Sequence, residues 1–398
     1  MVDRKFALGE AARVAFLLPE NYWTGGKNYL RNLFAAIRVL PRKPIDPVIF
    51  VGKRQAGISN EFPGITVVAN SMLDRNSAAW FVRKITERIA SQDLLLKRTL
   101  QQHGISVLSH SLPLGSQSEV KTIGWIPDFQ HLHLPEFFSP EERAHRDREF
   151  SVICAGCDKV IVSSACARID LQTFSPEHAH KAELLRFVAT PIPVAGASSL
   201  ASLKKLYSFD GPYFLLPNQF WAHKNHRVVI SALHLLKKSG RSFLVLATGS
   251  QVDYRNPSFF PTLMRYAADC DVLDCFRVLG QIPFEHVAGL MSHAVAFINP
   301  SKFEGWSTTV EEAKSMGKQI VLSDIAVHQE QAPARSFYFP AEEPEALAEA
   351  LVSAYSSFDL RADAAMQQGA KACFAGRQRE FGEAYGRIVS LVSEGELN

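Results

Sequence analysis

The sequence predicts an α/β protein of two domains, each built on a parallel sheet covered by helices. Three observations carry this reading. Apolar runs of strand length alternate with helical patterns along the whole 398-residue chain, as successive βαβ units require. Runs such as Ala294-Val-Ala-Phe-Ile298 are apolar throughout, the composition of a strand buried on both faces. The alternating series also occurs twice, separated by Thr190-Pro-Ile-Pro-Val-Ala-Gly-Ala-Ser-Ser-Leu-Ala-Ser202, whose Pro, Gly, Ser and Ala mark a linker.

In the first series, strands are expected near 12–18, 47–51, 65–69, 106–109, 121–126, Lys159–Ser163 and Glu183–Val188. Helices are expected over 27–39, a long 78–102 and 140–157. The second series has strands at Tyr213–Leu216, Phe243–Ala247, Phe276–Leu279, Ala294–Ile298 and Gln319–Leu322. This places one Rossmann-like domain in 1–195 and another in 210–377, with parallel sheets facing across a cleft. A chain of this length can bury a core in each half, and open α/β sheets bind ligands beyond the carboxyl ends of their strands.

Composition narrows the function classes. Hydrophobic residues make up 47% and charged residues 21%, which excludes a disordered chain. A formal net charge of +3 suits an anionic substrate or a membrane surface but is too small to argue for nucleic acid. No apolar run reaches the ~18 residues of a membrane span, and Met1–Leu18 lacks the layout of a signal peptide, so a cytoplasmic location is expected. The six cysteines have no regular spacing, which fits a reducing compartment. Cys154 and Cys157 form a CxxC at the end of a helical pattern without a second ligand pair, and read as packing residues rather than a zinc or redox site.

The most informative stretch is Asn299-Pro-Ser-Lys-Phe-Glu-Gly-Trp-Ser-Thr-Thr-Val-Glu-Glu-Ala-Lys-Ser-Met-Gly317. After a buried strand comes a loop of small and hydroxylic residues. A helix follows, with Val310, Ala313 and Met316 at helical spacing. Backbone N–H groups at such a helix start favour an anion. Glu304 precedes the helix and Glu312 lies about one turn into it, so one segment brackets an extended ligand whose middle is a phosphate. The string resembles the donor-sugar site of retaining glycosyltransferases of family 4, the mannosyltransferase-like group 1 enzymes of GT-B fold. The resemblance covers nearly the full chain and is strongest in 213–330. It implies that Glu304 sits against the donor hexose, that the Ser307, Thr308 and Thr309 segment holds the diphosphate, and that Glu312 accepts from the ribose hydroxyls. It also implies that a C-terminal helix near 378–398 returns to the first domain, and that the reaction needs neither metal nor other cofactor.

Four further segments bear on the same chemistry. Leu216-Pro-Asn-Gln-Phe-Trp-Ala-His-Lys-Asn-His226 leaves a strand with a lysine placed to neutralise a pyrophosphate; against the family pattern Lys224 matches, while Gln219 stands where an arginine is usual. Gly25 and Gly26 open a helix after the first strand and resemble the family's glycine loop, with Lys27 beside them. In Trp125-Ile-Pro-Asp-Phe-Gln-His-Leu-His-Leu-Pro-Glu136, Asp128 carries over from the family's His-Asp pair and Pro127 replaces the histidine. That leaves His131 or His133 to make the contact. Gln281 lies in Leu279-Gly-Gln-Ile-Pro283, where relatives use backbone to pair the nucleobase, and Glu330 is a supporting residue.

His110 is a further candidate, or a plain loop residue. Trp80-Phe-Val-Arg-Lys-Ile-Thr-Glu-Arg-Ile89 reads either as a membrane-facing helix or as an apolar core stripe beneath a basic face. The core stripe is the expected reading. The expected function is retaining transfer of a hexose from a nucleotide diphosphate sugar, GDP-mannose-like first and UDP-linked next, to a saccharide or lipid-linked acceptor in polysaccharide or O-antigen-type synthesis. Peripheral contact with the inner face of the membrane goes with that expectation. The rivals are a nucleotide-sugar epimerase and a non-catalytic nucleotide-sugar-binding scaffold.

Overall fold

The computed structural model describes residues 11–20, 22–41, 43–115, 118–191 and 198–394; positions 1–10 and linker residues 192–197, on which expectations were placed, lie outside these. The chain divides into two compact units. One holds the residues up to Phe129, Ala144–Phe187 and those from Gly376 onward; the other holds Gln130–Arg143 and Val188–Ala375. The expected first domain thus loses Gln130–Arg143, which makes its contacts with the second unit.

The first unit contains β1 (Ala12–Leu17), β2 (Ile45–Val51), β3 (Thr66–Ala69), β4 (Val107–Ser109), β5 (Lys121–Ile126), β6 (Lys159–Val162) and β7 (Ala182–Leu184). They form one parallel sheet in the order β3-β2-β1-β4-β5-β6-β7. Val14, Ala15 and Phe16 on β1 are almost wholly buried, because helices cover both faces and leave no solvated side to alternate with. The order reverses between β1 and β4, which creates the crevice where doubly wound sheets take ligands.

The expected helix over 78–102 is two helices, Ala78–Ala90 and Leu94–Gln102. Ser91 adopts a left-handed backbone (φ 52°) that stops the first, and the Asp93 carboxylate accepts from Leu96 N–H to start the second. Asp93 also takes both Nε and Nη2 of Arg83, the latter at 2.6 Å, so the joint is pinned by a buried charge pair. Cys154 and Cys157 are buried in the cluster with Ile126, Phe150 and Val160. Burial pushes their thiols up to about 11 and about 12, away from the thiolate that metal binding or redox chemistry uses.

The second unit contains β8 (Tyr213–Leu216), β9 (Leu244–Thr248), β10 (Phe276–Gly280), β11 (Phe297–Asn299), β12 (Ile320–Ser323) and β13 (Ser336–Phe339). Its sheet is parallel in the order β10-β9-β8-β11-β12-β13, and the reversal falls between β8 and β11. Ile320, Val321 and Leu322 are fully buried on β12; each such side chain contributes roughly 1.5–3 kcal/mol of transfer free energy.

One helix, Leu360–Glu394, has residues in both units. In its later part Phe381, Tyr385, Ile388, Val389 and Val392 are buried. Tyr385 Oη donates to Ser109 Oγ at 2.9 Å, and Gly382 lies so close to the Ala36 carbonyl that a Cβ would come within 2.5 Å of it. Among the described residues, no helix is long and apolar enough to cross a membrane.

Candidate functional site

In the second unit the loops that leave β8 and β11 meet beside the order reversal. The first runs through Lys224 and the second through Glu304. Their backbones are joined by Lys302 N–H to His223 C=O at 2.8 Å. Asn225, held at φ 55°, donates its side-chain amide to Pro300 C=O at 3.1 Å and Ala341 C=O at 2.7 Å. These ties fix Lys224 Nζ at 2.6 Å from Glu304 Oε1, with both side chains mostly buried. Burial works to raise the Glu304 carboxyl, yet Lys224, with His223 and His328 nearby, draws it down to about 2, so the group is a carboxylate at neutral pH.

A chain of hydrogen bonds runs from that carboxylate to the start of helix Thr308–Met316. Ser301 Oγ lies 2.7 Å from both Glu304 Oε1 and Asn299 Oδ1, which share its one proton. Asn299 Nδ2 donates to Ser307 Oγ at 2.6 Å, and Ser307 Oγ accepts from Val310 N–H as the helix N-cap. Ser307 N–H is spent on Gln331 Oε1 at 3.1 Å, and Thr309 Oγ1 on Asn218 Oδ1 at 3.3 Å. The resemblance placed all three residues on the diphosphate; Ser307 instead makes internal bonds with both its amide and its hydroxyl. The backbone N–H groups of Thr308 and Thr309 find no acceptor within the described residues. They stand at the positive end of the helix, a place for an anion.

Glu312, further along that helix, has no hydrogen-bond or ion-pair partner among the described residues. Burial alone pushes its carboxyl up to about 7. An unsatisfied acceptor of this kind takes hydroxyl donors from a ligand. Glu312 itself keeps intermediate exposure, whereas the adjacent Glu311 is fully buried and satisfied within the protein, accepting from Gln331 Nε2 at 3.0 Å and Lys314 Nζ at 3.2 Å.

The other expected residues fall into three groups. Gln219 and Gln281 are exposed at the ends of β8 and β10, where Gly249 brings the neighbouring loops together. Its φ is 142°, its N–H donates to Gly280 C=O at 3.0 Å, and a Cβ would lie 2.5 Å from Asn218 C=O. The His133 ring lies 5.1 Å from Phe303 in the Glu304 loop, and His131 is buried with its ring 6.3 Å from Phe138. Asp128 is held by Arg146 at 2.6 Å, which makes its carboxylate an anchor rather than a free base.

Gly25 and Gly26 lie in the first turn of helix Thr24–Arg38, so they open it as expected. A Cβ on Gly26 would overlap the Trp23 indole and meet the Tyr22 ring at 2.7 Å, so an aromatic ring fills the space expected for a ligand. Sequence reasoning missed Gly249, Asn299 and His328. His328 is fully buried, gives Nδ1 to Ser323 C=O at 2.9 Å, and has an unpartnered Nε2. It influences the Glu304 carboxyl, whereas the sequence pointed to Glu330, two residues on.

In the first unit the crevice beside β1 and β4 is a cleft of about 520 Å³, lined by Tyr22, Trp23, Trp80, His110, Trp125 and Arg75 among others. His110 has a left-handed backbone (φ 56°). Its two ring nitrogens meet Tyr29 Oη at 2.9 Å and Ser109 Oγ at 2.8 Å. Burial draws its pKa down to about 3, so the cleft presents a neutral imidazole among aromatic faces.

Residues 211–357 match the family model described as glycosyl transferases group 1. Among solved structures, the chain is similar to a glycosyltransferase from Rickettsia africae ESF-5, at 15% identity and TM-score 0.65 over 95% of this chain and 99% of that one. It is similar to Anabaena HepE in complex with UDP-glucose, at 13% identity and TM-score 0.66 over 96% and 100%. It is also similar to sucrose-phosphate synthase from Thermosynechococcus elongatus, at 14% identity and TM-score 0.63 over 96% and 94%. No curated protein matches the sequence. The architecture is therefore GT-B, and its second half is similar to the group 1 glycosyl transferases.

Proposed function

We propose that the chain transfers a hexose from a nucleoside diphosphate sugar to a saccharide or lipid-linked saccharide, with retention of anomeric configuration. The observation that carries this is the Lys224–Glu304 pair, 2.6 Å apart, joined through Ser301, Asn299 and Ser307 to a helix start with two open amides. A diphosphate needs compensation for the charge that builds as the sugar leaves. Lys224 and the Thr308 and Thr309 amides supply it from fixed positions, so this reading needs no metal or other cofactor. Glu304 stands against the donor hexose, where an ionised carboxylate accepts from its hydroxyls and favours positive charge developing at the anomeric carbon.

The bond between that carbon and the phosphate oxygen breaks, the acceptor oxygen forms the new bond on the same face, and the departing phosphate oxygen takes the acceptor proton. Glu312 accepts from the ribose hydroxyls. The donor was first expected to be GDP-mannose-like, in polysaccharide or O-antigen-type synthesis. Similarity to a structure in complex with UDP-glucose and to one bound to ADP supports UDP- and ADP-linked donors as alternatives.

The test is calorimetric titration of the protein with GDP-, UDP-, ADP- and dTDP-sugars, in parallel with Glu312→Ala. Saturable binding of one nucleotide class, weakened in the variant, supports the donor site. Turnover of that donor only with an acceptor present, giving an anomer of unchanged configuration by NMR, supports retaining transfer. Interconversion of the donor alone replaces the reading with epimerisation, and binding without turnover replaces it with a scaffold.

A further inference from the structure

The helix Ala78–Ala90 carries its apolar stripe on the outside. Phe81, Val82, Ile85 and Ile89 are 50%, 54%, 57% and 80% exposed, while the face turned to the protein is occupied by Arg83 and its buried partner Asp93. A core stripe beneath a solvated basic face is the expected arrangement, and the structure has the opposite one. At 100° per residue the four apolar side chains and Ala78 share one face, with Lys84 and Arg88 along one border. Large apolar side chains exposed together in this way mark a surface that meets something.

Charge identifies the partner. Between Ser71 and Gln102 the chain has six basic residues, Arg75, Arg83, Lys84, Arg88, Lys97 and Arg98, against three acidic ones. That excess equals the +3 of the whole chain, so the remainder is neutral in sum. All three carboxylates are engaged: Asp74 by Arg54 N–H, Glu87 by Lys84 at 2.6 Å and Asp93 by Arg83 at 2.6 Å. Arg75, Arg88 and Arg98 are exposed and have no carboxylate partner among the described residues. An apolar stripe bordered by the unpaired Arg88, with Arg75 and Arg98 on the segments that flank the helix, fits the interface of an anionic bilayer, where rings and branched chains enter the acyl boundary and guanidinium groups meet phosphates.

The same helix reaches the aromatic cleft of the first unit. Trp80 and Arg83 line that cleft, and Phe81 packs edge-on against Trp80 with centroids 5.0 Å apart. The stripe therefore begins at the cleft's rim. We infer that this helix docks the protein on an anionic membrane surface and sets the aromatic cleft at the lipid interface, where a lipid-linked saccharide is presented to it. The delivery of an acceptor rests on the transferase reading; the docking itself does not.

Vesicle flotation tests it on the full chain. Vesicles of phosphatidylcholine with about one-third phosphatidylglycerol bind the protein, pure phosphatidylcholine binds it less, and added salt weakens the anionic case. Ile85→Ser combined with Ile89→Ser lowers the partition coefficient at least tenfold. Arg88→Gln and Arg98→Gln each lower it about fivefold. All variants keep the wild-type melting temperature within a few degrees, because the substituted side chains are exposed.

Wild-type protein that stays unbound on anionic vesicles overturns the inference, as does a serine variant that floats like wild type. A wild-type dimer that the serine variant converts to monomer also overturns it, by assigning the stripe to a second copy of the chain. Calorimetric donor binding without vesicles is read in parallel: its loss in wild type counts against the transferase reading and leaves the docking result intact.

Discussion

Lys224 Nζ and Glu304 Oε1 are 2.6 Å apart although the residues lie 80 positions apart in the chain, and both loops are locked to each other through backbone and Asn225 bonds before any ligand arrives. The pair is a preformed element of the site.

Removing either partner is expected to reduce transfer at saturating donor by about a hundredfold or more, the usual cost of losing one fixed electrostatic contact to a developing charge. Lys224→Met also leaves a mostly buried carboxylate unpaired, which costs about 3 kcal/mol; Lys224→Met with Glu304→Gln recovers most of that stability without recovering activity. Chemical denaturation and initial-rate assays on the four proteins of the cycle decide it. Wild-type rates in Lys224→Met sink the assignment.

The two glutamates predict opposite pH dependences of stability. The folded pKa of Glu304 is depressed to about 2 from 4.5, so its contribution is present above about pH 4.5 and disappears as pH falls towards 2. That of Glu312 is raised to about 7 from 4.5, so its contribution is full below about pH 4.5 and is lost as pH rises through 7. Glu312→Gln is expected to be more stable than wild type at pH 8, by about 1–3 kcal/mol, and equal to it at pH 4. Melting curves at the two pH values check this; the same difference at both removes burial of the ionised form as its cause.

Ribose hydroxyls donating to Glu312 favour its carboxylate, so donor binding lowers its pKa. Near pH 7 binding is expected to release a fraction of a proton, and affinity to rise between about pH 6 and 8. Titration calorimetry in two buffers of different ionisation enthalpy measures the release. A wild-type release that persists in Glu312→Gln assigns the proton to another group.

Gly249→Ala puts a Cβ 2.5 Å from the Asn218 carbonyl at a backbone angle of 142°. A cost of about 2–4 kcal/mol is expected, with weaker donor binding because the neighbouring loop is displaced. Thermal melting shows the first and calorimetry the second; an unchanged melting temperature excludes the close approach.

Trp125→Ala is expected to raise the KM for a saccharide acceptor roughly tenfold while leaving donor affinity unchanged, since a stacking aromatic contributes about 1–2 kcal/mol. Steady-state kinetics with each substrate varied in turn separates the two. Equal weakening of donor and acceptor removes the cleft as the acceptor's place.

How far the sequence discloses this differs by level. β11 and the helix Thr308–Met316 were legible because a fully apolar run and a helical period sit on either side of one loop. The break at Ser91 was not, since Trp80 to Leu100 keeps an apolar period through it and only a left-handed serine interrupts the helix. The orientation of helix Ala78–Ala90 was hidden for a related reason: periodicity shows that a stripe exists, and Arg83 shows which side is buried only once Asp93 is found beneath it. Glu304 and Lys224 were identifiable by residue type and spacing. Ser307's internal bonds, Gly249's contact and His328's bare nitrogen depend on residues brought together from separate loops, which spacing alone does not report.

The helix Leu360–Glu394 sets an order on folding. The second unit ends at Ala375, whereas the first needs Tyr385 against Ser109 and Gly382 against Ala36 before its core is closed. On the ribosome the segment translated first is therefore completed after the one that follows it. A fragment cut at the linker leaves the second unit's sheet whole and takes from the first the helix that packs at Ser109 and Ala36.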